Sequence, residues 1–231
     1  MTTCTFLKAD QQKLTVNVPD TLQALTLNTW LILLDSGSPT VCQTISILSG
    51  VSLDEIYSLQ HIADLYTLQP AIEALLANLV RLSAAQPCIA KGSLTFKGVP
   101  ITLKQGSGPE LKHEPVIRKV NETIKAEIKR CQARSGNPAG WRHHIRLSSA
   151  HQVTLVACFM LDRLATAQKT AITDIGTALN AIREDVEALP AATAITIISS
   201  LVHNYPFMAK TGIWQKLKGI LPQNLSLVLK R

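Results

Sequence analysis

Ile172, Ile175, Leu179, Ile182, Val186 and Leu189 follow one another at intervals of three, four, three, four and three residues. An α-helix turns once in about 3.6 residues, so this spacing lays the six side chains along one narrow stripe. Strand periodicity does not reproduce it. The spacing predicts a helix over about 171–189 that packs lengthwise against a second helix, and the six residues are candidate packing contacts. The run over 151–165, which contains VTLVACFML, is almost wholly apolar and predicts a buried helix; it, or the helix starting near Ala191, lies close enough in sequence to cover the stripe. The other partner open to the stripe is a second subunit.

Helix signals continue upstream. Thr26 is placed to cap a helix carrying Leu27, Trp30, Leu31 and Leu34, with Gly37 beyond its end. Ser38 and Pro39 read as the start of a helix over Val41 to Ser49, closed by Gly50. Ser52 to Glu55 is a capping box, and Ile72, Leu75, Leu76, Leu79 and Leu82 line one face of a helix over 69–82. Two segments read as β structure. In KLTVNV, Leu14, Val16 and Val18 alternate with polar residues, and SLTFKGVPITL predicts a hairpin turning at Lys97-Gly98. The fold class expected is mainly α and helical bundle-like, with a short N-terminal strand and a small β-hairpin near 93–103. KQGSGPE marks a boundary between an N-terminal region, 1–105, and a helical domain, 109–231.

With 231 residues, 46% hydrophobic and 17% charged, the chain reads as globular and not as disordered. Its five cysteines are odd in number and scattered, which suits reduced thiols better than a disulfide framework. The N-terminus has no apolar core of signal-peptide length, and the longest apolar run falls short of the ~20 residues of a membrane helix. The expectation is a cytoplasmic protein without a membrane partner.

Charge is concentrated. Ten Lys/Arg face four Glu between Lys104 and Arg146, +6 of the chain's net +7. On a basic helix from about 115 to 133, Ile117, Val120, Ile124, Ile128 and Cys131 are the expected buried face. Arg118, Lys119, Lys125, Lys129 and Arg130 are then left towards solvent, with Arg134, Arg142 and Arg146 following. These eight are candidate polyanion-binding residues. Trp141 is the one aromatic residue in the stretch, which argues against base stacking along a single strand.

The stretch LILLDSGSPT, with Asp35 after an apolar run, resembles the active-site loop of retroviral-type aspartic proteases. That chemistry needs a strand entering the loop and a second carboxylate beside the first. The helical spacing from Leu27 to Leu34 instead makes Asp35 the end of a helix. His143 and His144 are adjacent and point apart, and His151 and Cys158 lack the remaining ligands of a zinc site. KQGSGPELK lacks the order of a phosphate-cradling loop. Neither a catalytic residue nor a metal nor a cofactor is expected, and the chain is read as non-enzymatic.

Residues 25–105 carry one further pattern: Trp30, then Ile45, Ile47, Leu48, Gly50, Glu55 and Ile56, then Phe96, Lys97 and Gly98. This is similar to small helical tail-module proteins of tailed bacteriophages, including tail assembly chaperones. The resemblance implies a morphogenesis or structural protein that works through protein–protein contacts, with another protein or its own copies as partner. It also implies a host-cell cytoplasmic or virion location, and no catalytic residues. The alternative is a nucleic-acid-binding protein using 104–146.

Overall fold

The computed structural model describes residues 1–37, 39–84, 92–103, 111–135 and 147–203. It is mainly helical, with two small antiparallel two-stranded sheets. The chain divides into two compact units. One is Met1–Leu82 with Pro190–Ala192, and the other begins at Ser83. The boundary expected in KQGSGPE lies outside the described residues, and the β-hairpin before it, which the sequence placed in the N-terminal region, belongs to the second unit.

In the first unit, β1 (Thr2–Leu7) pairs with β2 (Lys13–Val18), from Thr2 opposite Val18 to Leu7 opposite Lys13. Leu14, Val16 and Val18 are buried while Lys13, Thr15 and Asn17 are exposed, the two-residue period of a half-buried strand. β1 carries the same alternation, with Phe6 inward and Thr3, Thr5 and Leu7 outward.

Three short helices follow, each closed by a residue three positions away. α1 (Leu27–Asp35) starts at Thr26, whose Oγ1 accepts from the Thr29 N–H at 3.2 Å. α2 (Val41–Ser49) starts at Thr40, not at Ser38–Pro39 as expected. The Gln43 N–H donates to Thr40 Oγ1 and the Thr40 N–H to Gln43 Oε1, a complete capping box. Gly50, at φ +73°, ends α2 in the left-handed region that glycine enters without strain. Ser52 caps α3 (Leu53–Tyr57) through the Glu55 N–H. A 3₁₀ helix (Ile62–Leu68) leads into α4 (Gln69–Ala84). Trp30, Leu27, Ile45, Ile56, Leu68 and Leu75 fill the core.

The second unit opens with the hairpin of β3 (Gly92–Phe96) and β4 (Val99–Leu103). Lys97 and Gly98 both have positive φ, the geometry a two-residue turn between twisted strands requires. Phe96 and Val99 flank the turn, so by alternation Pro100 falls at a non-hydrogen-bonded position and its missing N–H breaks no ladder bond. α5 (Glu114–Ser135) packs on α6 (Ser149–Gln168), the helix read from the VTLVACFML run. α9 (Ala191–His203) is the last helix among the described residues.

The helix expected over 171–189 is two short helices, α7 (Ile175–Asn180) and α8 (Arg183–Glu187). Asp174 starts α7 by accepting from the Gly176 and Thr177 N–H groups, which leaves Ile172 outside it. Gly176 and Asn180 are weak helix formers, and Ile182 turns the chain at φ −114°, ψ 1°. The six-residue stripe is therefore not continuous. Ile182, Val186 and Leu189 are buried, whereas Ile172, Ile175 and Leu179 are half-buried. Both short helices pack against α6. Lys97 at the hairpin tip donates to Ala181 O (3.2 Å) and pairs with Asp185 (2.9 Å), tying the turn of β3–β4 to the break between α7 and α8.

Candidate functional site on the α5–α6 pair

α5 carries five of the eight candidate basic residues with described side chains, and its buried face differs from the one the sequence suggested. Val116, Val120, Thr123, Ile124, Glu127 and Cys131 are buried, whereas Ile117 is exposed and Ile128 half-buried. Glu127 lies on the buried face and points into the α5–α6 contact. Arg118, Lys125 and Lys129 are exposed, and Lys119 and Arg130 half-buried. Arg118 lies 3.9 Å from Glu114 in solvent, a pair of little energetic weight. Arg130 donates from Nε to Glu127 at 2.8 Å. Exposed Glu114 and Glu122 interrupt the cations, so the described face of α5 is mixed in sign. Arg134 lies in the last turn of α5, and Lys104, Arg142, Arg146, His143 and His144 lie outside the described residues.

Two buried carboxylates organise the pair. Glu127, with 1% of its side chain exposed, receives Arg130, His151 Nδ1 and the Ser148 N–H (3.4 Å). Ser148 is the N-cap of α6. Asp162 on α6, 0% exposed, accepts at Oδ1 from the Lys112 N–H (2.9 Å), the His113 N–H (2.9 Å) and His113 Nδ1 (3.0 Å). His113 immediately precedes α5. Each helix thus holds a carboxylate that binds the backbone just before the other helix, together with a histidine at that same end. On α6 the two sites are eleven residues apart, roughly 16 Å along the axis. A negative group beside the positive end of a helix dipole is stabilising, and a buried carboxylate needs such donors to stay charged.

For Glu127, burial pushes its pKa up. The hydrogen bonds from Arg130, His151 and Ser148 and the Arg130 charge outweigh it, so the carboxyl sits below its usual range. Arg130 is correspondingly raised by the same contact.

The α5–α6 arrangement offers little to a metal or a nucleophile. His151 shares Glu127, and burial pushes the Cys158 thiol up to about 12, far from the thiolate that attack or ligation requires. Among the described residues no three His, Cys, Asp or Glu side chains are grouped to hold a metal ion. Asp35 is the exposed last residue of α1, so a helix and not a strand leads into it. Next to the His113–Asp162 pair lies an open cavity of about 440 Å³, walled by Lys112, His113, Lys169, Ala165, Thr166, Thr170 and Ala171.

Charge and exposed apolar surface are segregated along the chain. Residues 1–82 hold three Lys/Arg against seven Asp/Glu, and residues 83–231 hold twenty against nine. Of the exposed large apolar side chains among the described residues, Met1, Leu7, Ile32, Tyr57, Ile62 and Tyr66 lie in the first unit and Ile117 alone in the second. Among the described residues no helix is long and apolar enough to cross a membrane. No family model, no curated protein and no solved structure matches the chain.

Proposed function

We propose that this chain is a non-enzymatic morphogenesis or structural protein of the tailed-phage type, which works by binding other proteins or its own copies. The observation that carries the reading is the placement of exposed Tyr57 (55%), Tyr66 (59%) and Ile62 within residues 1–82. Aromatic side chains are enriched at protein interfaces. The resemblance over 25–105 supports the same reading. Its Trp30, Ile45, Leu48, Ile56 and Phe96 are core residues, and its Gly50, Glu55 and Lys97-Gly98 are cap and turn residues. A host-cytoplasmic or virion location accompanies it.

Sedimentation velocity of the full chain across a wide concentration range tests this. The expected result is a mass above the 25.1 kDa of one chain, lowered by Ile62→Asp with Tyr66→Ser while helicity is kept. A monomer at every concentration that also binds unrelated DNA duplexes with a steep salt dependence favours the second reading, a polyanion-binding protein. The excess of cations over residues 83–231 is the observation on its side. On that reading Lys125→Gln with Lys129→Gln weakens binding to all duplexes alike. Peptide cleavage lost in Asp35→Asn would contradict both readings.

A further inference from the structure

We infer that the cavity beside His113 is a binding site for a small oxyanion, a phosphate or a carboxylate on a compact molecule. The inference stands apart from the protein-binding reading, because it uses none of the exposed side chains of residues 1–82.

Its walls come from the chain just before α5 and from the end of α6. Three of them, Lys112, His113 and Lys169, are basic, and none of the residues lining the cavity is acidic. An oxyanion in the cavity accepts hydrogen bonds from the two lysines and the imidazole and offsets the like charge of the lysines. Ala165, Thr166, Thr170 and Ala171 line the rest of the cavity, small residues that leave room for a small body attached to the anionic group. The volume, about 440 Å³, lies in the range of small-ligand clefts and exceeds what a bare ion needs.

The acid nearest the cavity is already committed. Asp162 is buried, and its Oδ1 receives the Lys112 N–H, the His113 N–H and His113 Nδ1. This contact fixes the ring of His113 by its Nδ1 edge and leaves Nε2 as the nitrogen open to a ligand. It also anchors the backbone from which the Lys112 side chain departs. Lys169 is held by the opposite wall. It is the C-cap of α6 at φ +54°, its N–H donating to Ala165 O, with the Thr170 N–H donating to the same oxygen at 3.0 Å. Glycine is the usual occupant of that backbone conformation. A lysine there bears conformational strain while placing a cation at the cavity mouth.

The test is a titration of the full chain with inorganic phosphate, followed by the NMR signals of His113 and by the melting temperature, against sodium chloride at matched ionic strength. The expected result is a saturable shift of His113 with phosphate and a higher melting temperature that chloride does not reproduce. Lys112→Gln with Lys169→Gln should weaken phosphate binding by about tenfold or more, while Lys125→Gln with Lys129→Gln on the exposed face of α5 leaves it unchanged. Circular dichroism confirms that both double variants remain folded, since all four lysines are exposed. A response equal with chloride, one that does not saturate, or one that survives intact in Lys112→Gln with Lys169→Gln overturns the site. Acetate in a parallel titration separates a general carboxylate site from one selective for phosphate, and binding of either anion supports the inference.

Discussion

In residues 1–82 the start of each capped helix is closed by a side chain three positions from the group it binds: Thr26 with Thr29, Thr40 with Gln43, Ser52 with Glu55. In the α5–α6 pair, α6 keeps such a local cap, Ser148 with His151, but the backbone at the start of each helix also meets a carboxylate from the other helix, Glu127 for Ser148 and Asp162 for Lys112 and His113. The first device forms with the helix itself and leaves tertiary packing to apolar contact. The second forms only when the two helices are docked, so the helix ends and the tertiary contact stand or fall together. It also places charge in a core, which tolerates it only while every donor stays in place.

Removing a carboxylate should therefore have the largest effect. Asp162→Ala strands three donors and is expected to cost about 3 kcal/mol or more in denaturant unfolding. Asp162→Asn keeps Oδ1 and should cost less, because Oδ2 has no hydrogen-bond partner to lose. A loss below 1 kcal/mol for the alanine variant breaks the comparison. In the first unit the matching test is apolar. Leu75→Ala should cost about 2–5 kcal/mol by leaving a cavity, with amides of α5 and α6 unaffected.

Acid sharpens the contrast. Glu127 has a folded-state pKa below its unfolded value, so the unfolded chain takes up the proton first as pH falls. The stabilisation from this residue is present in full above the usual carboxyl range and is lost below about pH 4.5, as pH falls through the folded value. Stability against pH should show this slope in the wild type and a shallower one in Glu127→Gln. Asp20 and Glu55 in the first unit are also lowered, by the N-terminal ammonium and by Ser52, but they sit in solvent, where such pairs weigh little. Thr40→Ala removes one capping partner and should cost about 1 kcal/mol, the local value for an N-cap. Asp35→Asn, at an exposed helix end, should stay within about 0.5 kcal/mol.

What could be read from the sequence follows the same division. The caps of α1 and α3, the end of α2 at Gly50, the inward face of β2 and the turn at Lys97-Gly98 depend on residues within a few positions, and all were legible. The alternation in TTCTFL was equally present and marks β1, but its short polar threonines do not announce an inward face. The stripe from Ile172 to Leu189 satisfied helical spacing at every step. The break after Asn180 depends instead on Asp174, Gly176 and Asn180, whose local preferences outweigh a regular pattern. Glu127 and Asp162 were not legible as buried. Apart from Arg130, the partners described for them lie 21 to 50 residues away, and nothing near either residue distinguishes it from a solvated acid. The cavity was hidden for the same reason, since His113 and Lys169 are brought together only by the docking of α5 on α6.

The amides of Lys112, His113 and Ser148 report the reciprocal closure of α5 and α6 most directly. Residue-resolved hydrogen–deuterium exchange should find all three protected in the wild type. In Asp162→Ala, exchange should accelerate at Lys112 and His113 and along the first turn of α5, while α1 and α2 exchange at their original rates. Rapid exchange of these three amides in the wild type, or a variant in which α1 and α2 accelerate as much as α5, would contradict the account.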